Sequence, residues 1–160
     1  MNFDRRIVEI AEKQVGVREE PLDSNRGEQV EEYQKADWLD DVGYPWCASF
    51  VCWVVKNARE MVEGSEFDWE RPRTAGAWDF ERWALTQEGK GVELIKPPDG
   101  FLPGDIVVFT FSHIGICTGS DGSTISTVEG NTNESGSREG GGVFEKIRHK
   151  KKVRSVIRIS

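Results

Sequence analysis

The residues of this 160-residue chain that are best suited to chemistry are a cysteine, a histidine, and an acid or amide, in that order. Cys47 comes first, His113 follows, and Glu129 and Asn131 come last. A cysteine thiolate is a nucleophile, a histidine can take its proton and later protonate a departing amine, and an acid or amide can fix the imidazole in one tautomer. The order favours nucleophilic catalysis in which Cys47 attacks and His113 is the base.

Each of these residues also has a plainer interpretation when it is taken alone. A free cysteine is most often a small buried hydrophobe, and a lone histidine is more often structural than catalytic. Glu129 by itself is a surface acid at a strand end, and Asn131 is a turn residue. The ordered set of four favours catalysis over these alternatives.

The stretch around Cys47 has the spacing of a buried helix. Its apolar residues fall at i, i+3, i+4, i+7, i+8 and i+11, and they are Cys47, Phe50, Val51, Val54, Val55 and Ala58. Cys47 is therefore predicted in the first helical turn, directly after Pro45-Trp46. Unpaired backbone N–H groups at that position favour a thiolate and can hydrogen-bond an oxyanion.

The other elements predict an α+β domain, with helices first and an antiparallel sheet of about five strands afterwards. We expect further helices over residues 2–15, 27–36 and 75–85, and strands over 106–109, 113–117, 124–129, 143–147 and 153–159. Val15 and Trp38 are expected to face inward. The basic run 148–152, which holds the second histidine, is interpreted as a solvated hairpin tip.

Composition limits the possible functions. The length suits one domain over residues 1–160, and a net charge of −7 argues against nucleic-acid or anionic-membrane partners. The three cysteines form no C-x-x-C pair, so neither a disulfide framework nor a metal or other cofactor is expected. Cys52 and Cys117 are interpreted as packing residues, and pairing between them stays open. The N-terminus shows no signal-type apolar stretch.

Four ordered blocks resemble the CHAP family of cysteine amidohydrolases and peptidases, which is papain-like and related to the NlpC/P60 enzymes. The blocks are Pro45-Trp46-Cys47-Ala48-Ser49-Phe50-Val51, Pro103-Gly104-Asp105-Ile106-Val107-Val108-Phe109, His113-Ile114-Gly115-Ile116 and Val128-Glu129-Gly130-Asn131-Thr132. The upstream Ser24-Asn25-Arg26-Gly27 is also similar to CHAP proteins from phages and bacteria.

The resemblance implies a peptidoglycan hydrolase that cuts the amide between muramic acid and L-alanine, or a bond in the stem peptide or cross-bridge. Carried over by position, Cys47 matches the nucleophile, His113 the base, Glu129 the orienting acid and Asn131 a further polar member. The acidic loop of calcium-binding members is not recognisable, and no wall-binding domain accompanies the catalytic one. We expect a monomer that is made in the cytoplasm and reaches the wall after release or delivery.

Two alternatives to wall hydrolysis stay open. One keeps the chemistry and changes the substrate, because CHAP-like enzymes also hydrolyse small amides such as glutathione–polyamine conjugates. The other is a non-catalytic wall-binding module in which the pocket is vestigial.

Overall fold

The computed structural model describes residues 2–62 and 66–160. Its helices are α1 (Phe3–Lys13), α2 (Glu28–Gln34), α3 (Cys47–Met61) and α4 (Asp79–Thr86). Its strands are β1 (Val92–Ile95), β2 (Ile106–Phe109), β3 (Ile114–Asp121), β4 (Thr124–Thr132), β5 (Gly142–His149) and β6 (Val153–Ile159). The helices precede the strands along the chain, as predicted for this α+β domain. In these two ranges no helix is both long and apolar enough to cross a membrane.

The strands form one antiparallel sheet in the order β1-β6-β2-β3-β4-β5. Five of them match the predicted strands, and β1 is an additional one at the sheet edge. Its four residues alternate too briefly to give a period-two signal, and Glu93 lies within it. Pairing with β6, where Val92 lies opposite Ile159, completes the strand.

The hairpin of β3 and β4 brings two of the predicted site residues to the same place. Ile116 on β3 lies opposite Val128 on β4. Continuing this register places Glu129 opposite Gly115, and His113 is two residues before Gly115, so the Glu129 and His113 side chains are diagonal neighbours across the two strands. The neighbouring strands predicted from the sequence are therefore the ones that meet.

Helix α3 is the central helix of the core and packs against α1, α2, β3 and β4. Its apolar stripe is buried as predicted. Strand β2 is buried on both faces, because Ile106 and Val108 meet the helices while Val107 and Phe109 belong to a second apolar cluster on the opposite face. Burial on both faces explains why β2 is a continuous apolar run.

Two residues expected to face inward do not. Val15 lies beyond the end of α1 and is 39% exposed, and Trp38 lies beyond α2 and is 65% exposed. Both helices end earlier than the apolar pattern suggests. The helix expected over 75–85 is α4, and its Leu85 is exposed.

Gly130 lies where α3 and β4 approach each other most closely. A Cβ at this position would lie 2.8 Å from Phe50 Cβ and 2.8 Å from Trp46 Cζ3. Real Cβ atoms do not approach other atoms so closely, so only glycine allows Glu129 and the start of α3 to lie this near each other.

Replacing Gly130 by alanine is expected to lower the free energy of unfolding by about 1–3 kcal/mol, because the added methyl overpacks the helix–sheet contact. Urea denaturation of the wild-type and variant proteins measures the difference. Gly119→Ala is the matched control, because no atom lies within 4 Å of its added Cβ. Equal destabilisation by the two substitutions would contradict the close approach at Gly130.

Candidate active site

Cys47 is the first residue of α3 and is buried except for 8% of its surface. The preceding Trp46 is fully buried and donates from Nε1 to Glu19 Oε1 at 2.9 Å. Its carbonyl accepts the first helical hydrogen bond, from Phe50 N at 2.9 Å. The side chain of the N-cap residue Trp46 does not cap this helix, so the backbone N–H groups of its first turn are available to a developing anion at the cysteine.

His113 is fully buried at the entrance of β3, after a tight turn in which Ser112 has a φ of 56°. Its ring stacks on Phe111 with the centroids 5.7 Å apart. Nε2 lies 2.8 Å from Glu129 Oε1, and Nδ1 has no hydrogen-bond partner among the described residues. Since Glu129 occupies Nε2, the interaction of the ring with Cys47 falls to Nδ1.

The surroundings of His113 favour its protonated form. Burial by itself lowers the pKa of the imidazole, but the interaction with the neighbouring Cys47 thiol, the hydrogen bond with Glu129 and the charges of the same two groups raise this pKa to about 9. The stability that this proton contributes is complete below the ordinary pKa of 6.5 and is lost as the pH rises through about 9. At neutral pH the ring is an imidazolium.

Glu129 is fully buried, yet it is surrounded by donors. Besides His113, it accepts hydrogen bonds from Thr127 Oγ1 and from Arg148 Nε and Nη2. Burial raises the pKa of this carboxyl, but the bonds and charges of Arg148 and His113 lower it to about 2. Its contribution to stability is complete above the ordinary 4.5 and is lost as the pH falls through about 2. Glu129 is thus a carboxylate at any working pH.

Arg148 is the site residue that the sequence did not indicate. Strand β5 continues through His149, so Arg148 belongs to the strand and not to a hairpin tip. Its guanidinium also donates from Nη1 to Gly136 O at 3.1 Å and lies 5.1 Å from the centroid of the Phe111 ring. The predicted strand ends at residue 147, whereas β5 extends to His149 and places Arg148 beside Glu129. The sequence alone gives no signal for this ion pair.

The structure brings Cys47, His113 and Glu129 together, whereas no hydrogen bond joins Asn131 to the imidazole among the described residues. Asn131 is buried with a φ of 56° and donates from Nδ2 to Arg138 O at 3.3 Å. Its side chain thus holds the loop that follows β4. The catalytic roles of all four residues stay predictions, and Glu129 is the one whose geometry suits an orienting group.

The other two cysteines are free thiols in separate parts of the core. Cys52 is hydrogen-bonded to the backbone of Thr74, and Cys117 to Gly119 O. Burial raises the pKa of Cys52 to about 12 and that of Cys117 to about 11. Neither environment favours a reactive thiolate, in contrast to the position of Cys47 beside an imidazole.

A thiol at a helix N-terminus, beside an imidazole that a carboxylate orients, is the arrangement of a cysteine-dependent hydrolase. The chain matches the model of the CHAP domain over residues 39–131, which is more than half of its length. It therefore belongs to the CHAP domain family, whose members are cysteine amidases and peptidases. The predicted family and enzyme class are confirmed.

No curated protein sequence matches the chain significantly. A similar solved structure is the crystal structure of Ly7917 with the hydrolyzing product of MDP. It shares 14% sequence identity with this chain at a TM-score of 0.56, and the alignment covers 98% of this chain and 62% of the Ly7917 chain. At this identity the likeness confirms the α+β fold alone, and the chain spans less than two thirds of that protein's length.

Cys47 is expected to be alkylated by iodoacetamide at mildly acidic pH, while Cys52 and Cys117 are not. Cys47 lies at a helix N-terminus beside an imidazole that can take its proton, whereas burial disfavours a thiolate at the other two cysteines. Timed labelling followed by peptide mass spectrometry measures all three thiols in one sample. In His113→Asn the labelling of Cys47 should slow, and equal labelling with and without the histidine would contradict the interaction.

Replacing Glu129 by glutamine is expected to lower the pKa of His113 from its value of about 9, because the anion that favours the imidazolium is removed. NMR titration of the two histidine rings measures the shift, and the exposed His149 is the internal reference.

Glu129→Gln leaves the partly buried Arg148 without its anion, so the double variant Glu129→Gln/Arg148→Met, which removes both charges, is measured beside it. Both variants should show the lower pKa. An unchanged titration of His113 in a folded variant would contradict the role given to Glu129.

Proposed function

We propose that this protein hydrolyses an amide bond of peptidoglycan through an acyl-enzyme on Cys47. The observation that carries the proposal is the buried His113, which interacts with Cys47 on one side and is held at Nε2 by an ionised Glu129 on the other. Membership of the CHAP domain family supports amide-bond chemistry.

In the first half-reaction His113 already holds the proton of the thiol at Nδ1, and the Cys47 sulfur attacks the amide carbon. Backbone N–H groups at the start of α3 hydrogen-bond the oxyanion of the tetrahedral intermediate. The C–N bond then breaks, and the departing nitrogen takes the proton from the imidazolium. Glu129 stays ionised and keeps the ring in place during this transfer.

In the second half-reaction water replaces the amine. His113 takes a proton from the water as the oxygen attacks the thioester carbon. Collapse of the second tetrahedral intermediate releases the carboxylic acid and returns the proton to the Cys47–His113 pair. Atoms balance as amide plus water giving acid plus amine.

The substrate class is supported by the family and by the similar structure, which was solved with the hydrolyzing product of MDP. The bond itself is either the amide between muramic acid and L-alanine or a peptide bond in the stem or cross-bridge. Its identity follows from the new termini that digestion produces.

Cys47→Ala is expected to lower the rate of hydrolysis of purified peptidoglycan at least about a thousandfold, because no other group can form the acyl-enzyme. Turbidity loss and mass spectrometry of released muropeptides measure the rate. Cys52→Ala, a change on the same helix five residues further on, is the matched control and should keep its activity. Undiminished hydrolysis by Cys47→Ala would contradict the mechanism.

The same assay separates the proposed substrate from the alternatives. A wild-type enzyme that releases no new termini from peptidoglycan but cleaves glutathione–polyamine conjugates would overturn the substrate class and keep the chemistry. A protein inactive on both, whose Cys47 is alkylated no faster than a free cysteine, would overturn catalysis altogether.

A further inference from the structure

A pocket of about 270 Å³ lies beside the active site and is not used by the mechanism. Its walls come from the segment before α2, from the residue two positions before Cys47 and from the loop after β4. The lining residues are Glu19, Asp23, Asn25, Pro45, Glu139 and Gly140. Three of these six residues are acidic and none is basic.

Glu19 gives this pocket a buried acceptor. It is only 6% exposed, and its backbone N donates to Gly141 O at 2.8 Å. One carboxyl oxygen, Oε1, accepts the indole N–H of Trp46, but Oε2 is buried and has no hydrogen-bond partner among the described residues. A buried carboxyl oxygen without a donor is costly, so the site is suited to a ligand that donates.

Two walls of the pocket are connected to residues next to the active site. Pro45 is two residues before Cys47, so their Cα atoms are at most about 7 Å apart. Gly140 N donates to the carbonyl of Asn131, which is two residues after Glu129. A substrate whose carbonyl is at Cys47 can therefore place a neighbouring group in this pocket. A larger pocket, of about 650 Å³, lies against the C-terminal part of α3, away from all of these residues.

The charges of the pocket select the ligand. Asp23 has no ion-pair partner among the described residues, and Glu139 has only a long and exposed pair with Arg138 at 3.7 Å, which contributes little. A protonated amine offers three hydrogen-bond donors and one positive charge. We propose that this acidic pocket is a subsite for a protonated amine of the peptide substrate, held by Glu19 Oε2 and Asp23.

This inference rests on the proposed function and narrows its substrate. The amine can be the side chain of a diamino acid or a free peptide N-terminus within one or two residues of the scissile bond. Such a subsite favours peptide bonds in the stem or cross-bridge over the amide of muramic acid, whose neighbouring sugar carries no amine of this kind.

The test uses the peptide L-alanyl-γ-D-glutamyl-L-lysyl-D-alanine with its α-amine, its ε-amine, both or neither acetylated. Isothermal titration with the inactive Cys47→Ala protein measures binding without hydrolysis. Acetylation of the recognised amine is expected to weaken binding about tenfold or more, as the loss of a charged hydrogen bond does. If acetylation of the ε-amine weakens binding, the subsite recognises the side chain of a diamino acid. If acetylation of the α-amine weakens it, the subsite recognises a peptide N-terminus.

Two substitutions in the Cys47→Ala background connect this preference to the pocket. Glu19→Gln keeps an oxygen acceptor for Trp46 and removes the charge, and Asp23→Asn suits the positive φ of 63° at that position. Each should reduce the binding ratio of free to acetylated peptide severalfold. Asp99→Asn, an exposed acid outside the pocket, should leave the ratio unchanged.

Equal binding of free and acetylated peptides, or no measurable binding of any of them, would overturn the subsite whether or not the wild-type enzyme lyses peptidoglycan. A ratio insensitive to both Glu19→Gln and Asp23→Asn would also overturn it. Tight binding of calcium chloride that Glu19→Gln abolishes would assign the pocket to a metal ion instead. The opposite outcome is also informative. If the Cys47→Ala protein binds the free amine selectively but the wild-type enzyme hydrolyses no muropeptide, the subsite is supported and the proposed function is overturned.

Discussion

The compensation of one buried negative charge, that of Glu129, determines the arrangement of the site. A carboxylate taken fully out of water costs several kcal/mol unless donors replace its hydration. Arg148 supplies two of these donors, and Thr127 and His113 supply the others. Because the compensation is complete, Glu129 stays ionised and holds the imidazole at a fixed nitrogen. The orientation of His113 therefore depends on a guanidinium from the next strand.

The fold makes this compensation possible by bringing three elements into contact over short distances. A Cβ at Gly115 would lie 2.6 Å from Glu129 Cγ, and Gly130 packs against Trp46 and Phe50 with equally little room. Glycines at both positions let the acid on β4 fit between β3 and the start of α3. The cysteine and the acid thus come together through backbone packing, not through a direct bond between them.

Sequence patterns predicted the parts of this arrangement that depend on local periodicity. The stripe from Cys47 to Ala58 identifies α3, and the alternating run after His113 identifies β3. Together with the ordered family blocks, these patterns predicted the fold class and three residues that the structure brings together, Cys47, His113 and Glu129.

The remaining features depend on long-range contacts, which local patterns do not record. Arg148 lies in a basic run that is typical of a solvated surface, and only its distance to Glu129 shows its role. Glu19 likewise lies in a polar loop, and its burial results from contacts with Trp46 and Gly141. Asn131 was predicted as a further polar member of the site because of its place in the sequence; its φ is positive at an irregularity of the β4–β5 pairing, and its amide N–H donates to Arg138 O in the following loop.

The raised pKa of His113 determines when the ring acts as an acid and when as a base. Cys47 and Glu129 both raise it, and burial opposes them. In the proposed mechanism acylation turns the sulfur into a neutral thioester, which removes the effect of Cys47 and leaves that of Glu129 against burial. The imidazole therefore becomes less basic after it has given its proton to the amine, and it is then neutral and ready to take a proton from water. One ring can perform both half-reactions because its acidity changes with the charge on the sulfur that it faces.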